Sequence, residues 1–138
     1  MSDNSLDRPL RALQFTLGAT AVAAGADKFL NLLTNWEQYL NEDFAEKLGL
    51  TPSQFMKLVG VIEIAAGATV LSGRTRFGGL LVSAWLLGIS GNLFSKGKYL
   101  DVAVRDINMA VAAYALAELG HRKVKREANG DVELDRAA

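Results

Sequence analysis

Few residues in this chain are suited to chemistry, and nearly all of them are charged. Glu63 is the one carboxylate in an otherwise apolar run from Val59 to Leu71. Asp27 and Lys28 close the first apolar segment, Asn92 lies near the end of the third, and Asp101, Arg105 and Asp106 open the last. Carboxylates in apolar surroundings can take up and release protons. Lysine and arginine can hold a carboxylate, a phosphate or a carbonyl oxygen. On a helix Gly60, Glu63 and Gly67 fall on one face, and small residues there let a neighbouring helix come close. Glu63 is therefore expected to face another helix, where it needs a partner or a proton.

Other chemistries are excluded by composition. The 138 residues contain no cysteine, so disulfides, thiol redox chemistry and thiolate metal sites are absent. The single histidine, His121, follows the last apolar run. A haem held inside a membrane by two histidines is ruled out, and zinc is not expected. The formal net charge is zero, so no nucleic-acid partner is expected. No cleavable signal peptide is evident, since the first apolar run lacks a short core ending in an Ala-x-Ala site.

The elements that must position these residues are helical. Residues 1–9 read as a polar tail, with Pro9 suited to a first helical turn. An apolar helix follows from Leu10 to about Leu33, with Gly18, Ala21 and Gly25 in one small-residue stripe. Between Asn35 and Pro52, Trp36, Tyr39, Leu40, Phe44 and Leu48 recur at helical spacing with acidic residues between them. That predicts an amphipathic helix over about 36–48, lying at a membrane interface with Trp36, Tyr39 and Phe44, or covering the bundle mouth. Thr51-Pro52-Ser53-Gln54 is a helix start, with Thr51 as N-cap. The Glu63 helix ends near Leu71, and Phe77–Phe94 is an uncharged run of about the length a bilayer core requires. Tyr99 opens the last helix, which Gly120 and the basic 121–126 cluster are expected to stop. Residues 122–138 read as a basic and then disordered tail after a helical domain over 10–121.

These segments predict an all-α fold, a four-helix transmembrane bundle with the amphipathic helix between its first and second spans. A soluble four-helix bundle is the competing reading, but the Phe77–Phe94 run has no polar face. Four spans place both termini on one side. Arg8, Arg11, Arg74, Arg76 and the Arg122–Arg126 cluster share that side, which is the cytoplasm by the positive-inside rule. Counting about 1.5 Å of rise per residue puts Glu63 roughly 12 Å, and Arg105 and Asp106 roughly 9 Å, inside the outer ends of their helices. Asp27 and Lys28 lie near the outer end of the first helix and Asn92 about one turn before the outer end of the third, so all these groups fall in the outer half of the bundle. Charges in a membrane usually pair. Arg105 is expected to pair with Glu63, with Asp101 one turn before it as a second support. Such a cluster could lock helix pairing, or line a pocket for a headgroup, a quinone-like carbonyl or a proton; some of its charges could instead snorkel to the interface.

Three stretches carry a family resemblance: Gly25-Ala-Asp-Lys-Phe29, Gly60-Val-Ile-Glu63 with Gly67, and Tyr99-Leu-Asp-Val-Ala-Val-Arg105-Asp106. The chain resembles the DoxX-like family of small four-helix bacterial membrane proteins over roughly residues 10–120. The resemblance implies a four-helix bundle in a bacterial or archaeal plasma membrane. Some relatives are subunits of membrane oxidoreductases, including quinone-linked ones, and others are linked to thiol and oxidative-stress partners. Redox roles tied to cysteine cannot apply to this chain. The expected role is a non-catalytic accessory or binding subunit, with the lipid bilayer, other membrane subunits or a second copy as partners and no cofactor beyond a quinone or lipid. The alternatives are a quinone-linked oxidoreductase subunit and a small transporter or proton path.

Overall fold

The computed structural model describes residues 6–137, with side chains described through Asn129. Five α-helices and one 3-10 turn account for most of this length: α1 Asp7–Leu30, the turn Trp36–Tyr39, α2 Glu42–Lys47, α3 Pro52–Leu71, α4 Thr75–Lys96 and α5 Leu100–Ala137. No strand occurs among the described residues. The chain is therefore all-α. Residues 1–5 of the expected polar tail lie outside the described residues, and α1 already begins at Asp7.

The four long helices pack antiparallel in the cyclic order α1, α3, α4, α5. The most extensive contacts join α1 to α3 and α4 to α5; α3 meets α4, and α1 meets α5, more sparingly. Glycine makes the α1–α3 contact close. A Cβ on Gly25 would lie 2.6 Å from the Gly60 carbonyl oxygen, and one on Gly67 would lie 2.6 Å from that of Gly18. The α4–α5 contact uses Gly79, where a Cβ would meet the Ala113 carbonyl at 2.6 Å. Gly88 and Gly91 border open space.

One end of the bundle gathers the C-terminal ends of α1 and α4 and the N-terminal ends of α3 and α5. Residues 31–51 close this end. Towards the other end runs the main core of Leu10, Leu17, Ala66, Val70, Val82, Ala113 and Leu116. A second, smaller core of Leu40, Ala45 and Met56 lies beneath the closing segment, with Trp36 and Phe55 against it.

Two expectations need correction. The helix over 36–48 is not continuous: it is a 3-10 turn and a short α2, broken at Leu40 and Asn41. The backbone there bonds to α4 instead of to itself. Asn41 N–H donates to Asn92 Oδ1 at 3.0 Å, Asn92 Nδ2 donates to the Tyr39 carbonyl at 2.7 Å, and Lys96 donates to the carbonyls of Gln38 and Leu40. The Asn41 side chain then accepts from Asp43 N–H and starts α2 afresh. The second correction concerns the last helix. It does not stop at Gly120 but continues to Ala137, through the stretch expected to be disordered. Gly120 is a packing residue, placed where Thr75 of α4 leaves no room for a Cβ. Beyond it Lys123 ties back to Asp7 of α1 at 2.8 Å and to Glu127 one turn on at 3.9 Å. Elsewhere the expected helix start holds: Thr51 and Gln54 form a reciprocal capping box with Pro52 at the first helical position.

Two helices, Pro52–Leu71 and Thr75–Lys96, are long and apolar enough to cross a membrane.

The glycine geometry separates two kinds of substitution. Gly67→Val drives side-chain atoms into backbone, which cannot move aside, and overpacking of this kind costs about 1–3 kcal/mol. Gly88→Ala adds a methyl where nothing stands and removes the glycine penalty of about 0.5–1 kcal/mol in a helix interior. Thermal unfolding followed by circular dichroism should show a lowered midpoint for the first and an unchanged or raised midpoint for the second. Equal midpoints would mean that α1 and α3 do not touch at Gly67.

Candidate functional site

Four charged side chains are buried at the closed end: Asp27, Lys28, Glu63 and Asp106. Their centre is the ion pair of Lys28 Nζ with Glu63 Oε2 at 2.6 Å, whose side chains are only 4% and 8% exposed. The glycine crossing creates it. Gly25 and Gly60 bring the two backbones together, Lys28 lies nearly one turn past Gly25, and Glu63 nearly one turn past Gly60. In antiparallel helices those positions diverge along the axis. Side chains, however, lean towards the N-terminus of their own helix. Lys28 and Glu63 therefore lean back towards each other and meet at the crossing.

The pair is enclosed by indoles. Lys28 Nζ stands 3.7 Å from the centroid of the Trp36 ring, a cation–π contact worth roughly 2 kcal/mol where water is excluded. Trp85 Nε1–H, from α4, donates to Glu63 Oε1 at 3.4 Å. Trp36 Nε1–H donates to Asp27 Oδ2 at 2.7 Å. Asp27 also accepts the backbone N–H of Leu32 at 2.9 Å and of Leu33 at 3.1 Å, so it organises the chain that leaves α1. Asp106 of α5 is buried at the same end. Its Oδ1 accepts Arg105 Nη2–H at 2.9 Å.

The expected partner of Glu63 is thus replaced. Arg105 does not reach it; its side chain is 61% exposed and pairs with its own neighbour Asp106. Successive residues on a helix differ by about 100° in direction. Asp106 turns inward, so Arg105 cannot. Asp101 is exposed and makes no ion pair with Arg105 among the described residues. Asn92 belongs to a different group. With Ser95, Lys96 and Tyr99 it fastens residues 38–41 to the bundle: Asn41 Nδ2–H donates to Ser95 Oγ at 3.1 Å, and Tyr99 Oη–H donates to Gln38 Oε1 at 3.3 Å. Tyr39 packs edge-on against Tyr99 with centroids 4.7 Å apart. Phe44 on α2 is partly exposed, its ring 5.9 Å from Lys47 Nζ.

Trp85, Ser95 and Lys96 were not singled out by sequence reasoning. Trp85 left a signal: a tryptophan in an uncharged run carries an N–H that requires an acceptor when covered. Among the described residues no group of three His, Asp or Glu side chains could hold a metal ion.

Comparison with protein-family models, curated proteins and solved structures finds no match.

Chemically, the arrangement is a buried cation held by a carboxylate and an indole face, with a second carboxylate nearby and no nucleophile–base pair. Removing one member of a buried pair strands the other and typically costs about 3–5 kcal/mol, whereas apolar replacement of both costs much less. Lys28→Met and Glu63→Gln should therefore each lower thermal stability, and the double variant should recover part of the loss. Arg105→Met should also lower stability, because it leaves the buried Asp106 carboxylate without its ion-pair partner. Strictly additive losses for Lys28 and Glu63 would show that the two do not interact.

Trp36→Phe keeps the ring over Lys28 and deletes the donor to Asp27. Limited proteolysis should then cut within residues 31–48 faster than in the unmodified protein, while the helices resist as before. Unchanged cutting would mean that the Trp36–Asp27 bond does not hold the segment down.

Proposed function

We propose that this chain is a multi-pass integral membrane protein of a bacterial or archaeal plasma membrane. In this reading α1, α3, α4 and α5 span the bilayer and both termini are cytoplasmic. The observation that carries it is the outward face of the apolar helices. Only 39% and 33% of the most apolar windows of α3 and α4 are buried inside the protein, whereas the core helix of a soluble bundle is mostly buried. Large apolar side chains point outward from all four long helices, among them Phe15, Val61, Phe77, Leu87 and Val111. Such a belt is what hydrocarbon accepts and water does not. Arg8, Arg11, Arg74 and Arg76, with Arg122 to Arg126, gather at the end away from the charged cluster, as the positive-inside rule asks of a cytoplasmic side.

Within the membrane the role we infer is that of a non-catalytic accessory or binding subunit, in keeping with the resemblance to DoxX-like proteins. Lys28 and Glu63 satisfy each other, and an indole covers each of them. A pair so engaged sets helix register and presents a closed polar layer; it is not arranged as a reacting centre. A second reading, a quinone-linked oxidoreductase subunit, is favoured by one observation: Glu63 and Asp106 are two carboxylates buried at the same end of the bundle, and carboxylates can serve protons to a carbonyl.

Alkaline carbonate should leave the protein in the membrane fraction, and a reporter fused after Ala138 should be active only in its cytoplasmic form. Extraction by carbonate would overturn insertion, and a periplasmically active fusion would overturn the orientation. Mass spectrometry of the protein purified in mild detergent separates the two roles: co-purifying subunits or lipid support the first, and stoichiometric quinone the second.

A further inference from the structure

We propose that Leu30, Leu32 and Leu33 form a turn immersed in the outer leaflet of the bilayer, and that the Asp27 carboxylate permits it by satisfying the backbone of that turn. The inference rests on the membrane reading above and adds a lipid contact made by non-helical chain.

Leu30, Leu32 and Leu33 are 63%, 78% and 76% exposed. They surround the point where α1 stops, at Asn31 in the left-handed conformation with φ of 50°. A chain leaving a helix carries N–H groups that no longer find a helical acceptor, and in hydrocarbon each one left bare costs several kcal/mol. Irregular backbone is therefore excluded from lipid unless the protein satisfies it from within. For the N–H donors of this turn that condition is met. Asn31 N–H donates to the Asp27 carbonyl, and the N–H groups of Leu32 and Leu33 both donate to the Asp27 carboxylate. The carboxylate is in turn covered by the Trp36 indole N–H, and its residue is 5% exposed.

The surface is continuous with the apolar belt. Phe29 lies beside Gly60 of α3, and from there Leu58 and Val61 carry the exposed apolar face along that helix. Continuity with that face, together with internally satisfied backbone donors, selects acyl chains as the occupant.

The absence of cysteine makes the test direct, because a single introduced cysteine is the only labelling site. Spin labels at Leu32→Cys and Leu33→Cys in proteoliposomes report collisions with oxygen, which concentrates in lipid, and with a polar nickel chelate, which stays in water. Leu87→Cys, on the outward face of α4, is the lipid reference, and Glu46→Cys on α2 is the aqueous one. Labels at 32 and 33 should be oxygen-dominated like the label at 87, and Asp27→Asn should shift the label at 32 towards the nickel chelate. Nickel-dominated labels at 32 and 33 beside an oxygen-dominated label at 87 would overturn this inference and leave membrane insertion standing. Shielding from both reagents would overturn it in favour of a protein partner or a second copy on the turn. A nickel-dominated label at 87 would bring down the membrane reading itself. An unmoved label at 32 in the Asp27→Asn background would remove the role assigned to that carboxylate.

Discussion

A lysine and a glutamate buried against each other are expensive to hide, because each ion gives up hydration worth several kcal/mol even after the protein relaxes. Much of the closed end can be traced to meeting that cost for Lys28 and Glu63. The two helices approach at Gly25 and Gly60 closely enough for a 2.6 Å contact between the charges. Two indoles supply what the pair itself lacks, a π face over the ammonium and an N–H for the free carboxylate oxygen. Covering Trp36 then requires the chain to fold back after α1, and that return path is organised by Asp27 and fastened by Asn92 and Lys96. The closing segment exists in its observed form because the ion pair beneath it must stay dry.

Parts of this arrangement were legible in the sequence and parts were not. The spacing of Gly60, Glu63 and Gly67 marked a helix face that meets another helix, because helical periodicity acts within one element. The Thr51 capping box was legible for the same reason: it is a local hydrogen-bond pattern. Depth was legible too, since rise per residue is constant, and Asp27, Lys28, Glu63 and Asp106 do share one end of the bundle. What residue counting lacks is azimuth around the bundle axis. Arg105 and Lys28 both fall in the outer half with Glu63, and depth alone does not choose between them. Only the packing order, with α1 rather than α5 closest to α3, decides for Lys28.

Longer-range competition explains the other differences. Trp36 to Leu48 has the apolar rhythm of a single helix, yet Asn92 and Lys96 compete for its backbone from more than fifty residues away. Gly120 looks like a helix stop, but a glycine chosen for close packing and one chosen for a left-handed turn cannot be told apart by residue type. The neighbouring Thr75 reveals which it is.

The uneven packing of the four helices has a mechanical consequence. Two backbone contacts, at Gly18 with Gly67 and at Gly25 with Gly60, stop α1 and α3 from rocking about a single pivot, so they behave as one slab. Gly79 against Ala113 and the Ser90 hydroxyl against the Ala103 carbonyl make α4 and α5 another. Lys28 and Glu63 lie within the first slab; Trp85 belongs to the second and reaches Glu63 across the parting plane. The closing segment is stitched to both, through Asp27 on one side and through Asn92, Lys96 and Tyr99 on the other. It works as a tie-bar at one end of a two-leaved shell, while the Gly78–Val70 contact and the Lys123–Asp7 bridge join the leaves towards the other.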